Sequence, residues 1–371
     1  MTSHDVIVVG LGAMGSSVAF HLASRGLRVL GVEQYSPAHE RGSSHGRSRI
    51  IRLAYYESPE YVPLLLRAWE LWEELEERSA RKLLSRTGAL MVGSSESELF
   101  RGSLRSATEH DLPHEVLDAQ EIRRRFPALD PPPDTSALYE ERAGFIVPEE
   151  GVKAHLQLAG SLGAELRFEE RLLSWEERDG GVLVETSRGS YGASHLVLAP
   201  GPWAPQLLGE LGGSLYVERQ VMAWFSVAHG GLSVLMWEAD DGRIFYCIPE
   251  GPERIKAALH HGGKRTTPET LDRRVHEEDV EAIKGYLRKY APALAGALVE
   301  GSVCMYTNSP DLNFVVGPHP RHPRIILACG FSGHGYKFCG VIGEVVADLV
   351  TEGRTGHPIK PFSPARLQPQ A

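Results

Sequence analysis

Cysteine is scarce in this chain, with four residues in 371, at Cys247, Cys304, Cys329 and Cys339. Their separations of 57, 25 and 10 residues match neither a thiolate metal motif nor a dense disulfide framework, so free thiols in a reducing compartment are expected. Also absent is any run of about eighteen apolar residues, and the early apolar stretch Val6 to Val9 runs into glycines instead of a cleavage site behind a basic leader. A cytoplasmic protein without a membrane partner is the expectation. The basic excess of a nucleic-acid-coating protein is missing too: 39 Lys and Arg stand against 48 Asp and Glu, a formal charge of −9. Histidine numbers sixteen, yet His260-His261 and His319-x-x-His322 lack carboxylates or cysteines at ligand spacing, so no metal site is expected. No short repeat or low-complexity stretch occurs. What remains is a globular composition, 42% hydrophobic and 23% charged, in a chain long enough for about two domains at ~150 residues each.

The first informative segment is Asp5-Val-Ile-Val-Val9, a strand-length apolar run that meets Gly10-Leu-Gly12-Ala-Met-Gly15 directly. Ser16, Ser17 and Ala19 then open a helix-compatible run that stops near Arg25-Gly26, and a second strand, Leu27 to Val32, ends at Glu33. This is a βαβ dinucleotide fingerprint: Gly10 permits the tight turn, Gly12 the approach of a pyrophosphate, and Gly15 close helix packing. The helix N-terminus offers unpaired N–H groups to the anion. Glu33 can accept from both hydroxyls of a ribose, which favours a free 2′-hydroxyl over a 2′-phosphate. The fingerprint alone leaves FAD and NAD open.

Directly after it, Arg41-Gly-Ser-Ser-His45-Gly-Arg47-Ser-Arg49-Ile-Ile-Arg52 forms a Gly/Ser-rich loop with four arginines, able to wrap the rest of a long cofactor. Pro59 to Arg86 carries Leu65, Trp69, Trp72 and Leu75 at helical spacing and reads as an amphipathic helix with a core stripe. From Thr87 to Arg142 a strand at Ala89 to Val92, a polar helix and Pro131-Pro-Pro133 suggest an excursion into a second domain. A helix from Pro148, strands at Glu165 to Phe168 and around Val182, and a buried strand His195 to Ala199 ending in Pro200-Gly201-Pro202-Trp203 follow. Such a turn at the carboxyl end of a buried strand fits a sheet whose ligand crevice lies at that edge. Tyr216 to Cys304 reads as strands with one polar helix near Glu277 to Tyr290. The tail repeats the opening logic: strand Arg324 to Cys329, the turn Gly330-Phe-Ser-Gly333-His334-Gly335-Tyr336-Lys337, then an apolar helix to Val350, with a lysine beside a positive helix end suited to an anion.

These residues resemble the monomeric sarcosine oxidase family of FAD-dependent amine oxidases, which includes N-methyltryptophan and pipecolate oxidases. The resemblance spans the chain and rests on Gly10-x-Gly12-x-x-Gly15, Ser44-His45-Gly-Arg-Ser-Arg49-Ile-Ile-Arg52, Cys304-Met305-Tyr306-Thr307 and Gly330 to Lys337. It implies an α/β fold, α+β in its two-domain arrangement: a Rossmann-like FAD-binding domain (1–86, 145–215, 308–371) and a discontinuous antiparallel-sheet substrate domain (87–144, 216–307). It further implies FAD attached through a thioether at Cys304, and a substrate carboxylate held by Arg52 and Lys337. Lys256 then assists oxygen, His260 sits in the active site with Arg49 and His45, and Tyr306 and Tyr246 line the amine pocket. Cofactor contacts are expected from Gly10, Gly12, Ala13, Met14, Gly15, Glu33, Gln34, Ser43, Ser44, Arg49, Leu172, Gly201, Trp203, Met305, Gly330, Gly333, His334, Gly335 and Lys337. Leu259 replaces an aromatic of the family pattern, and Ser44-His45 stands where that pattern has His-His.

The implied reaction is oxidation of a secondary amino acid, sarcosine first, by O2 and water to glycine, formaldehyde and H2O2 in a monomeric enzyme. N-methyltryptophan, pipecolate and proline satisfy the same requirements. The rivals are a flavin dehydrogenase with another electron acceptor, a nicotinamide enzyme using only the N-terminal motif, and a nucleotide-binding structural subunit.

Overall fold

The computed structural model describes residues 4–178, 180–228 and 233–367. The extreme ends of the expected FAD-binding domain, Asp179 within it, and 229–232 of the expected substrate domain lie outside the described residues.

Two sheets organise the chain. The first has eight strands with a parallel centre, His322–Cys329, Ser190–Leu198, His4–Val9, Val29–Val32 and Glu165–Arg167 in spatial order. The hairpin Leu172–Arg178 and Gly181–Thr186 joins it antiparallel beside the first half of Ser190–Leu198, and Val315–His319 flanks His322–Cys329. Within His4–Val9, residues 6–9 are buried on both faces. Val6 and Val8 pack under the helices Ala13–Ser24, Pro148–Ser161 and Cys339–Glu352, while Ile7 and Val9 pack on the other side with Leu196, Leu198 and Leu327. That is why the sequence shows a continuous apolar run there and no alternation.

The second sheet has nine strands. Leu298–Asn308, Tyr216–Ser226, Arg254–His260, Ile244–Pro249 and Val234–Glu238 are antiparallel neighbours, Arg265–Thr266 extends the edge, and a single parallel pairing joins Val234–Glu238 to Ala89–Ser94, followed by Thr135–Glu140 and Glu115–Asp118. Strand alternation sorts its side chains. Phe225, Phe245, Ile255 and Ala257 pack under the helix Glu277–Tyr290 through Val280, Ile283 and Leu287. Their neighbours Tyr246, Ile248, Ala258 and His260 face the opposite way, toward the first sheet's ligand edge. A small antiparallel sheet, Arg49–Ile51, Gly144–Ile146 and Leu84–Arg86, joins the two parts.

The amphipathic helix ends earlier than its composition suggests. It runs Val62–Ser79 after a 3-10 turn Pro59–Tyr61, and Leu84–Arg86 is a strand instead of its last turn. Ala80 takes the left-handed conformation (φ 53), and the Glu76 carboxylate accepts from the N–H groups of Leu83 and Leu84, both at 2.7 Å, drawing the chain off the helix axis. Trp69 and Trp72 are buried as a core stripe, and the Trp72 indole also donates to the Lys337 carbonyl at 2.8 Å, tying this helix to the C-terminal turn. The second strand of the βαβ unit begins at Val29, two residues later than its hydrophobicity suggests.

Candidate functional site

The carboxyl ends of four parallel strands meet at one edge, and a cavity of about 590 Å³ opens there. Gly10 takes φ +85, and a Cβ on it would lie 2.4 Å from the Ala199 carbonyl oxygen, so the turn and the close strand approach both require glycine. Gly15 does not line the cavity. It lies against Gly10, where a Cβ would fall 1.7 Å from the carbonyl oxygen. The helix begins at Ala13 with an extended Gly12 and no side-chain cap, and Gly12, Ala13 and Met14 line the cavity. The Ser44 hydroxyl accepts from the Ala13 N–H at 3.1 Å, holding the arginine loop against the helix start.

Glu33 is 6% exposed at the end of the second parallel strand. One carboxylate oxygen accepts from the Leu11 N–H at 2.9 Å, the other from the Tyr35 N–H at 3.1 Å beside His39. Gln34, Leu172, Gly201 and Trp203 line the cavity on this side; Ser43, whose carbonyl accepts from Arg49 at 3.2 Å, lines it with Arg49, Met305, Gly330, Gly333 and Gly335. A helix start with no N-cap side-chain bond, a glycine-built floor and a buried acid one strand away fit the pyrophosphate and ribose of a dinucleotide.

A second compartment of about 60 Å³ shares Arg49, Tyr306, Gly333 and Tyr336 with the first cavity and reaches into the nine-stranded sheet. Arg52, Lys337, Tyr246, His260, His334 and Cys304 line it. Arg52 is 1% exposed, lies 4.3 Å from the Tyr55 ring centroid, and pairs with Glu57 at 2.6 Å. Lys337 is 6% exposed and sits in a 3-10 turn, Tyr336–Phe338, immediately before the helix. Its ammonium donates to the His334 carbonyl at 2.7 Å. Burial, reinforced by the neighbouring Arg52, lowers Lys337 to about 7. His334 turns its ring to Tyr55, 2.7 Å from Nδ1, and to the Leu312 carbonyl, 3.0 Å from Nε2.

On the sheet wall, His260 Nδ1 lies 3.4 Å from the Tyr306 hydroxyl. Burial, then the nearby His261, His334, Lys337 and Arg52, hold His260 well below its ordinary value, so its imidazole is neutral. Burial pushes Tyr246 up to about 12 and Tyr306 well above its ordinary value; both stay protonated and can donate. At the junction of the two compartments Arg49 Nη2 lies 3.6 Å from Cys304 Sγ. Burial pushes the Cys304 thiol up, but His45 and Arg49 outweigh it and bring it down to about 7.

Besides Gly15, two expected site residues line neither compartment. His45 is 2% exposed beside Cys304, and Lys256 is fully buried behind the loop 46–48, its Nζ donating to the carbonyl of Gly46 at 2.9 Å and to that of Ser48. The other expected residues converge as described. Sequence reasoning missed four buried or half-buried acids around them: Glu57 on Arg52, Glu140, whose carboxylate accepts from the Leu53 and Ala54 N–H groups at 2.9 Å each, and Glu149 and Glu250 on the arginine loop. Glu57 was reachable as an acid five residues from a candidate arginine; the others carry no local signal. Tyr35 and Pro200 also line the larger cavity beside the expected Gln34 and Gly201.

Comparison with known proteins follows the same lines. A family model described as FAD dependent oxidoreductase (DAO) matches residues 5–349. The chain is 50% identical to the monomeric sarcosine oxidase of Streptomyces avermitilis, covering 98% of each chain, and 34% identical to the N-methyl-L-tryptophan oxidase of Salmonella dublin, covering 98% of this chain and 99% of that one. Among solved structures it is similar to NikD, an amino acid oxidase of nikkomycin biosynthesis, with a TM-score of 0.86 at 26% identity over 98% of each chain.

Proposed function

The chain belongs to the FAD-dependent oxidoreductase (DAO) family, and from that premise we propose that it is an oxidase of small secondary amino acids, sarcosine foremost, using O2 as electron acceptor. The observation that carries this reading is the placement of two buried cations, Arg52 and Lys337, in one small aromatic-walled compartment that opens onto the dinucleotide cavity. Guanidinium gives a planar two-point grip and ammonium a compact charge, so together they offset the cost of desolvating a substrate carboxylate. The same positive charges disfavour protonation of the nearby substrate amine, which must be neutral to be oxidised. Neutral His260 and protonated Tyr246 and Tyr306 supply orienting hydrogen bonds without adding charge. The small volume favours a methyl substituent over an indole. When bound, FAD would supply a two-electron acceptor for oxidation of the carbon beside nitrogen and, once reduced, a donor of both electrons to O2, giving H2O2.

FAD would be held by the turn from Gly10 with Gly12 at the pyrophosphate, by Glu33 at the ribose, by Ser44 of the loop that wraps the cofactor, and by Cys304 of the smaller compartment as the covalent link, supported by its lowered thiol. Lys256 contributes positive charge where reduced oxygen species develop. The nucleotide-binding part comprises 1–86, 145–215 and 308–371, the substrate part 87–144 and 216–307, in a cytoplasmic monomer.

The test is the visible spectrum of purified protein without oxygen, before and after excess sarcosine. A flavin band that bleaches, and returns on admitting oxygen with stoichiometric peroxide, is the expected result. A protein without a flavin band, or one whose band survives sarcosine, proline and pipecolate alike, overturns the reading.

A further inference from the structure

Lys256 is a fully buried cation that, among the described residues, forms no ion pair. A lone ammonium in such a place loses its proton unless negative charge reaches it. Its Nζ donates to the carbonyls of Gly46 and Ser48, and the far side of each of these residues is held by a carboxylate. The Gly46–Arg47 peptide unit is engaged at both ends: its C=O accepts from Lys256 at 2.9 Å, and its N–H, on Arg47, donates to Glu149 Oε1 at 3.1 Å. The preceding N–H, on Gly46, donates to the same oxygen at 2.6 Å. Consecutive N–H groups can converge this way because Gly46 and Arg47 both lie in the left-handed region, φ 103 and 64, forming a nest that Glu149 fills. Ser48 repeats the pattern with its side chain, its carbonyl on Lys256 and its hydroxyl on Glu250. The other oxygen of Glu250 accepts from the Trp224 indole at 2.7 Å, and that ring lies 5.9 Å from the ammonium.

The peptide dipole therefore runs with its negative end at the ammonium and its positive end at the carboxylate, and each bond polarises the next. The remaining charges around Lys256 are Arg49, which opposes the ammonium, and Cys304, which favours it when ionised. Arg47 and Arg254, stacked on the Trp224 ring at 5.2 and 5.7 Å, share the single carboxylate of Glu300, at 2.7 and 2.9 Å, so the three groups together keep one positive charge that also opposes the ammonium.

We propose that Glu149 and Glu250 are positioning residues that hold Lys256 as an ammonium through the Gly46–Ser48 backbone, and so set the oxygen reactivity of the loaded enzyme. The two acids come from the helix Pro148–Ser161 and from the turn after the strand Ile244–Pro249, so both sheets contribute to one charge. The inference rests on the reading that Lys256 assists oxygen.

The direct test is the protonation state of Lys256 in holoenzyme labelled with 13C at lysine Cε, its resonance identified by its loss in Lys256→Met. Glu149→Gln and Glu250→Gln should each lower the pH of its titration by one unit or more, and the double variant by more. Stopped-flow reoxidation at neutral pH should fall about tenfold or more per variant, while anaerobic reduction by sarcosine keeps its rate, and Glu149→Asp should recover part of the loss. An unchanged Lys256 titration in both single variants overturns the proposal, as does equal slowing of reduction and reoxidation. If Lys256→Met itself reoxidises at the wild-type rate, the oxygen role of Lys256 falls, and the lysine titration still decides whether the acids hold its charge.

Discussion

Arg52 and Glu57 form a 2.6 Å ion pair in which the guanidinium side chain is 2% exposed and the carboxylate side chain 15%. Arg52 also donates to the Ala54 carbonyl at 2.7 Å, so this guanidinium of the small compartment is already engaged before a substrate carboxylate arrives. Glu57 and the substrate then compete for one fork. Glu57→Gln should tighten the binding of acetate, followed as a perturbation of the flavin spectrum, by about tenfold, because an uncompensated buried guanidinium gains more from a new anion. Arg52→Ala should weaken acetate by about 2–5 kcal/mol, the usual cost of removing one partner of a buried charge pair. Weaker acetate binding in Glu57→Gln would show that the pair serves structure and does not compete with substrate.

Lys337 makes carboxylate binding depend on pH. Burial, with Arg52 acting in the same direction, brings it to about 7, so the ammonium is present below that pH and lost above it. Acetate stays ionised throughout this range, so its affinity should be highest below pH 7 and fall by up to about tenfold per pH unit above it. Lys337→Met should bind acetate weakly and with a flat profile between pH 6 and 9. A profile in the variant as steep as in the wild type would assign the dependence to another group.

Local motifs and long-range carboxylates differ in how far the sequence exposes them. Gly10 and Gly15 are legible because a backbone contact forbids a Cβ at each, and such contacts recur at fixed spacing in a βαβ unit. The tail turn is legible for the same reason, as a strand running into glycines. Strand alternation puts Tyr246, Ile248, Ala258 and His260 on one face, but only the pairing register, Tyr246 with Ala258 and Ile248 with Lys256, brings them together. That register is fixed by contacts far apart in the chain. Glu140, Glu149 and Glu250 are illegible because each acts by accepting hydrogen bonds 26 to 202 residues away, among 48 acids with no distinguishing neighbours. The sequence reads as helix past Ser79 because Arg81 and Lys82 are good helix formers, and a left-handed alanine carries no signature.

Glu140 gives the fold its own pH signature. Burial pushes its carboxyl up to about 7, against the Leu53 and Ala54 N–H groups that favour the charged form. Between about 4.5 and about 7 the folded chain binds a proton that the unfolded chain releases, so this contribution is complete below pH 4.5 and is lost as pH rises through 7. The span corresponds to a stability change on the order of 3 kcal/mol. Glu140→Gln removes the titration. Its urea midpoint relative to wild type should therefore rise steadily from pH 5 to pH 8, and a constant offset between the two proteins would refute the shift.

Cys304 should reveal itself when the protein is precipitated with acid. Its thiol is brought to about 7 by His45 and Arg49 against the effect of burial, so about half is thiolate at neutral pH, the form that would bond to the methyl carbon of bound FAD as that carbon loses a proton, the two electrons passing to the flavin ring and from it to O2. Flavin should stay with the wild-type pellet and appear in the supernatant of Cys304→Ser. That variant should still purify yellow, because the glycine turn, Ser44 and Glu33 that shape the dinucleotide cavity are untouched. Mixing apoprotein with FAD should give an attachment rate that climbs between pH 6 and pH 8, following the thiolate. Arg49→Leu removes a positive charge 3.6 Å from the sulfur and should move that rise to higher pH. Free flavin in the wild-type supernatant would leave the cavity as the whole means of holding the cofactor and Cys304 as a buried thiol.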